Sequence, residues 1–355
     1  MFIRPSRFGV RPDMSIRLIP FAASLSLLAG LGAASAQTAP APTGAPQEVD
    51  TQAIVDALFK AGGNQPNVRG SGAKGVCVKG TFTPSAEAPS LSKAPHFAKA
   101  NAEKPLPMTA RFSMGGSNPK VSDKAKPVTR GFSMRIADPA GDMVFVFISA
   151  PVFGTKTPQQ LLDFATVRAP GPDGKPDAEK IKAFGAANPE TTRQAAWLNA
   201  RPVPASYAGV DYWGVHAYTL TDAKGTATVA KLKTVAAAGQ IGLSDDEVKA
   251  KPDAFYADEL KERLAQGPAR FDLVAILGEA GDPTNDPTVQ WPEESRKSVK
   301  LGTLAITALE PAATCDGATF DPVVDLPAGV AGPADDPMFA IRSPAYAISL
   351  SRRSN

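Results

Sequence analysis

Between residues 50 and 61 the apolar positions Ile54, Val55, Leu58 and Phe59 recur at helical spacing, and Gly62-Gly63 follows. This predicts an amphipathic helix stopped by glycine. Beyond it the period shortens. Apolar and polar residues alternate over 75–82, 108–114, 131–136 and 143–149, with Pro, Gly, Asn and Asp between the runs, as strands require. Four later runs, 212–220, 226–233, 270–277 and 300–309, read the same way. Helices interrupt them. Thr157-Pro158-Gln159-Gln160 combines an N-cap, a proline at the first helical position and a capping-box glutamine. Asn188-Pro189 opens a helix through Trp197 and Leu198, Ser244 with Glu247 starts another, and 255–264 is also helical. No repeat or long linker divides 50–355, so the expectation is a single α+β domain of about eight strands with inserted helices. Eight antiparallel strands suit a closed barrel, which removes exposed edges.

The first 36 residues follow a different pattern. Arg4, Arg7, Arg11 and Arg17 form a basic start, 18–31 are apolar, and Ala34-Ser35-Ala36 offers small residues for cleavage. That is the layout of a secretory signal peptide and implies export to the periplasm. A membrane anchor is the poorer reading, because Pro20, Ser24 and Gly30 break an already short run. Residues 37–49 are Ala/Pro-rich and form a flexible tether, leaving 50–355 as the folded domain.

Composition is ordinary for a globular chain: 355 residues, 43% apolar and 21% charged. The formal charge of +3 belongs to the precursor. Removing the four arginines and Asp13 of the signal from 38 basic and 35 acidic residues leaves 34 of each. A neutral mature chain lacks the basic excess that nucleic-acid binding needs. Cys77 and Cys315 are the only cysteines. In an exported chain an even pair is a disulfide candidate, with two buried thiols as the alternative. There is no Cys-x-x-Cys and no histidine cluster to hold zinc.

Several short segments then fall in a telling order. They are Arg69-x-x-Gly72-Ala73-Lys74-Gly75, Ala110-Arg111-Phe112-Ser113, Thr129-Arg130-Gly131-Phe132 and Ile148-Ser149-Ala150-Pro151-Val152-Phe153. Next come Tyr212-Trp213-Gly214-Val215-His216, Asp286-Pro-Thr-Val-Gln-Trp291-Pro292, Phe320-Asp321-Pro322 and Arg342-x-x-x-Tyr346. From about residue 50 to the end the chain resembles the haem catalases, and more closely the short exported catalase-related peroxidases. The resemblance implies an eight-stranded antiparallel β-barrel with surrounding helices. It also implies one haem b between the barrel and a helix carrying an axial tyrosine, which falls on Tyr346.

The chemistry of that site sets conditions on its neighbours. A ferric iron needs the phenolate, whereas free tyrosine ionises near pH 10, so a cation must stand beside it. Arg342, four residues earlier, is within helical reach. The resemblance gives Arg69 and Arg111 the haem propionates, which guanidinium groups grip bidentately. Arg111 alternates with Phe112 and is expected to face inward, where a cation needs an anion partner.

Opposite the tyrosine the sequence departs from the pattern. Catalases shuttle peroxide protons with a histidine, acid–base work suited to imidazole, and that position here is Gly72. The distal asparagine position holds Ser149, while Ser113, which supports the histidine in the family, is kept. Of the two histidines, His96 lies in a loop-like segment and His216 in a strand away from the iron; both read as structural. The expectation is a haem peroxidase acting on hydrogen peroxide or organic hydroperoxides in the response to oxidative stress. It would use a separate electron donor and have weak or absent catalase activity. A haem-binding protein without turnover is the alternative, and rearrangement of lipid hydroperoxides a third. Monomer or homodimer is expected, with no nucleic-acid partner and no membrane span after signal cleavage.

Overall fold

A computed structural model describes residues 49–354. The signal peptide and nearly all of the tether lie outside the described residues. All eight expected strands form: β1 (Gly75–Pro84), β2 (Leu106–Met114), β3 (Arg130–Asp138), β4 (Gly141–Ile148), β5 (Tyr212–Thr221), β6 (Ala227–Ala236), β7 (Ala269–Leu277) and β8 (Ser298–Leu309). Each pairs antiparallel with its neighbour in the chain. β8 returns to β1, with Val78 opposite Leu309, so the sheet closes on itself. The β3–β4 turn is tight enough to put Gly141 at φ +129°, a conformation that glycine alone takes readily.

The alternation seen in the sequence sets the two faces of this barrel. Phe112, Phe132, Phe145 and Phe147 are fully buried; Phe112 and Phe132 meet Tyr212 and Phe271, and Phe145 meets Phe147 and Tyr218. Phe112 and Phe132 stack at 4.5 Å between ring centroids. Each such ring contributes roughly 2–3 kcal/mol by leaving water. An eight-stranded barrel is just wide enough for its own side chains, so a large ligand must bind outside it. The outer face of β1–β4 is built for close approach. One cross-strand row is Gly75, Ser113, Gly131 and Ile148, and the next is Cys77, Arg111, Ser133 and Val146. Arg111 therefore faces away from the packed interior, correcting the expectation that it points inward, although it is still buried. Its neighbour Phe112 takes the core position that strand alternation leaves.

The helices follow their start signals. In α1 (Thr51–Ala61) the Asp50 carboxylate accepts from Gln52 N, and before α2 (Pro158–Thr166) the Thr157 hydroxyl accepts from Gln160 N. α3 (Ala178–Ala187) was not read from the sequence, although Asp177 caps it. α4 (Arg193–Asn199), α5 (Asp245–Ala250) with its Ser244/Glu247 capping box, and α6 (Tyr256–Gln266) complete the predicted set. A short helix, α7 (Ala312–Asp316), follows β8, and α8 (Pro337–Ala340) and α9 (Arg342–Ser354) end the chain. Cys77 in β1 and Cys315 in α7 are disulfide-bonded, so of the two readings left open the bridge is the one realised. Among the described residues no helix is long and apolar enough to cross a membrane.

Candidate functional site

Arg342, Tyr346, Ser349 and Arg353 sit at i, i+4, i+7 and i+11 along α9, which places them on one stripe. The stripe faces the small residues on the outside of β2–β4. Ser349 Oγ accepts a hydrogen bond from Gly70 N (3.0 Å), tying the helix to the loop that precedes β1. Between helix and barrel lies a cavity of about 940 Å³, counting its open mouth. Its apolar walls come from Val55 and Leu58 of α1, Val146 and Phe147 of β4, Phe320 and Ala345.

Tyr346 heads a chain of hydrogen bonds. Arg342 Nη2 donates to Tyr346 Oη (2.5 Å) and Nη1 donates to His216 Nε2 (3.0 Å). His216 Nδ1 lies 2.6 Å from Asp336 Oδ2. Asp336 Oδ1 is held in turn by Met338 N (2.8 Å) and Phe339 N (3.2 Å), as the cap of α8. A guanidinium can only donate, so His216 Nε2 must accept and Nδ1 must carry the proton given to Asp336. The short carboxylate contact on its own would favour imidazolium. Burial opposes it, and Arg342 facing the other nitrogen opposes it further, so the His216 pKa falls to about 4 and the ring is neutral. Burial alone would lower the Arg342 pKa, but Tyr346, Tyr218 and Asp321 outweigh it and the net shift is upward. A fixed cation thus stands on the Tyr346 oxygen. His216, expected to be structural, links Arg342 to the α8 cap.

Three arginines line the other end of the cavity: Arg69, Arg111 and Arg353. Burial and then Arg69 push Arg111 down to about 10, and the same two causes bring Arg353 to about 10. Burial lowers Arg69 as well. No carboxylate forms an ion pair with any of the three among the described residues. Several of their N–H groups bond backbone carbonyls instead: Arg69 to Cys315 O and Ala318 O, and Arg111 to Gly72 O (2.7 Å) and Ala73 O (3.2 Å). Arg69 Nε is buried without a partner. Mutually repelling, desolvated cations with an orphaned donor call for an anion. A flat apolar group with two carboxylates and a metal for the Tyr346 oxygen fits this donor set, and haem is such a group.

The barrel-side wall is different. Gly72 has φ +68°, and a Cβ built there would lie 3.1 Å from Ser113 Oγ and 3.6 Å from Arg111 Nη1. Ser113 and Gly72 both line the cavity. Ser149 does not: its Oγ accepts from Arg130 N (2.9 Å), and it borders a separate pocket beside Lys126 and Arg201. His96 is remote, its Nε2 3.1 Å from Ile136 O. Among the described residues, the ionisable groups lining the cavity are the three arginines and Tyr346. The structure thus brings together Arg69, Gly72, Arg111, Ser113 and Tyr346, sets Arg342 behind Tyr346, and leaves Ser149 out. Arg353, His216 and Asp336 were missed. The seven-residue step from Tyr346 to Arg353, two helical turns, was the signal available for the first.

The sequence matches the family model described as Catalase over residues 49–354. A catalase-related peroxidase of Synechococcus elongatus is 36% identical, over 79% of this chain and 82% of its own. Another, from Mycolicibacterium paratuberculosis, is 32% identical over 84% of this chain and 93% of its own. In fold the chain is similar to a fungal catalase and to catalase A from Saccharomyces cerevisiae. Each has a TM-score of 0.73 at 19% identity, with 84% of this chain aligned to 62% and 64% of theirs.

Proposed function

The chain belongs to the catalase family, and on that premise we propose that it is a haem b-dependent peroxidase acting on hydrogen peroxide or organic hydroperoxides. The observation that carries the proposal is the chain Tyr346–Arg342–His216–Asp336 at one end of a cavity whose other end holds three arginines without acid partners. Tyr346 would supply the axial oxygen, and Arg69, Arg111 and Arg353 would hold the propionates. Bound haem would contribute the iron at which a peroxide O–O bond is split and oxidising equivalents pass to a donor. The residues of the chain do the rest. Arg342 holds the Tyr346 oxygen through its hydrogen bond, neutral His216 fixes the guanidinium, and Asp336 fixes the imidazole tautomer. The apolar residues of α1 and β4 give the cavity walls that suit a flat apolar group.

What the barrel side lacks limits the activity. With Gly72 in place of an imidazole and Ser149 turned to Arg130 N, only hydroxyls such as Ser113 could pass a proton. Removing a general acid–base costs roughly 10²–10⁴ in rate, so the reading is slow peroxidase turnover with little or no disproportionation of peroxide. We place this activity in the periplasm, in the response to oxidative stress, with a separate electron donor and a monomeric or homodimeric protein. The bare barrel-side wall favours a second reading, haem binding without turnover. Steady-state assays of the haem-loaded protein with peroxide and a generic donor separate the two. Turnover above that of free haemin is expected; turnover equal to it would leave only the second.

A further inference from the structure

The segment after β8 has little to hold it. Of residues 311–317, Cys315 alone is buried, and α7 spans five residues with no side-chain cap. So short a helix is not stable by itself. Yet this segment presents the carbonyls that aim two of the three cavity arginines. Cys315 O (2.5 Å) and Ala318 O (3.1 Å) accept from Arg69 Nη2. Ala318 O (2.9 Å) and Asp316 O (2.9 Å) accept from Arg353 Nη2 and Nε. The charge of Asp316 partly offsets the burial that lowers all three arginines. Thr319 and Phe320, the next residues, line the cavity directly.

We propose that the Cys77–Cys315 disulfide is a positioning device for the cofactor's carboxylates, presenting the 315–318 carbonyls that orient Arg69 and Arg353. This rests on the reading of the cavity as a haem site. A bridge that merely stabilised the fold would act on every cavity residue alike. The proposed role does not, because Arg111 takes no bond from this segment; its donors go to Gly72 O and Ala73 O. Cys77 pairs with Arg111 across β1–β2, but the side-chain donors of Arg111 are held by the loop before β1, and they serve as the comparison.

The measurement is the rate of haem transfer from the ferric protein to an excess of an apo-globin acceptor. Cys77→Ala/Cys315→Ala should speed release about tenfold in the otherwise unaltered protein, and about as much in an Arg111→Ala background. In an Arg69→Ala/Arg353→Ala background the same change should add no more than about twofold, since both groups it positions are already gone. An unchanged release rate, or equal acceleration in the Arg69→Ala/Arg353→Ala and Arg111→Ala backgrounds, would overturn the proposal. Should the cysteine variants not fold, the haem-loaded chains can be reduced with a phosphine, alkylated and compared in the same three backgrounds. If the unaltered protein holds no haem, the cavity reading fails and takes this proposal with it. If it holds haem and the backgrounds respond alike, the positioning role alone is lost.

Discussion

Acidification should unload the hydrogen-bond chain behind Tyr346 at His216. In the unfolded protein the imidazole takes a proton near pH 6.5, whereas in the folded protein its pKa is about 4. Between those values the unfolded state binds one more proton, so stability falls as pH falls through this window. It is fully present above about pH 6.5 and level again below about 4. The side chain is 4% exposed, so solvent screens little of the effect. A gap of about 2.5 pH units at 1.36 kcal/mol each gives a loss of about 3 kcal/mol from this one group. That amounts to a shift of about 1 M in a urea midpoint for a chain of this size. Carboxylates elsewhere titrate in the same range, so the comparison must be with His216→Gln, which leaves them in place and cannot take up the proton. Urea unfolding at pH 7 and pH 4.5 should show the unaltered protein losing about 2–3 kcal/mol more than the variant. Parallel profiles would refute the neutral, buried imidazole. A profile of opposite sign, with the unaltered protein gaining on acidification, would mean that His216 is an imidazolium paired to Asp336.

The remaining predictions concern single side chains. Tyr346→Phe removes the oxygen that receives Arg342 Nη2, and the visible spectrum of the ferric haem complex should change or the haem be lost; an unaltered spectrum would refute the axial role. Arg353→Ala, which deletes a cation two turns from Tyr346, should raise haem release by about tenfold in the apo-globin transfer assay, and an unchanged rate would remove Arg353 from the carboxylate-holding group. Gly72→Ala should cost about 1–2 kcal/mol in urea unfolding, the usual cost of a left-handed residue with a Cβ, because φ is +68° and Ser113 Oγ stands 3.1 Å from the new atom. A neutral result there would mean that the loop relaxes out of this conformation.

What could be read along the chain was what depends on neighbours in the chain. Alternation gave all eight strands because each has one face in a closed core, and Thr157 or Ser244 signalled helix starts because caps act within one turn. α3 escaped although Asp177 marks it, since its apolar residues are few and none is buried. Site residues divide on the same line. Arg342 with Tyr346 is one helical turn and was visible, and Arg353 was visible in principle at the next repeat of that stripe. His216 and Asp336 are 120 residues apart, and no local pattern announces a contact between a strand and a helix cap. Ser149 failed in the opposite way. Its place in the order of motifs was clear, but the hydroxyl is short enough to satisfy Arg130 N, and an Oγ so engaged has no reach to the cavity.

The order of strands has a consequence for how the molecule is made. Every hairpin of the barrel joins consecutive segments, so a chain emerging from its amino end can lay down β1 to β7 in turn without waiting. The seam between β1 and β8 is the exception, since Val78 meets Leu309 across more than two hundred residues. Until that last strand arrives the growing sheet keeps two open edges, each able to accept a strand from another chain. The side of the barrel that must wait longest is therefore also the side on which Arg69, Arg111 and the carbonyls after β8 assemble. A chain stalled before β8 would have most of its core but lack Tyr346, Arg353 and the 315–318 carbonyls of the candidate site.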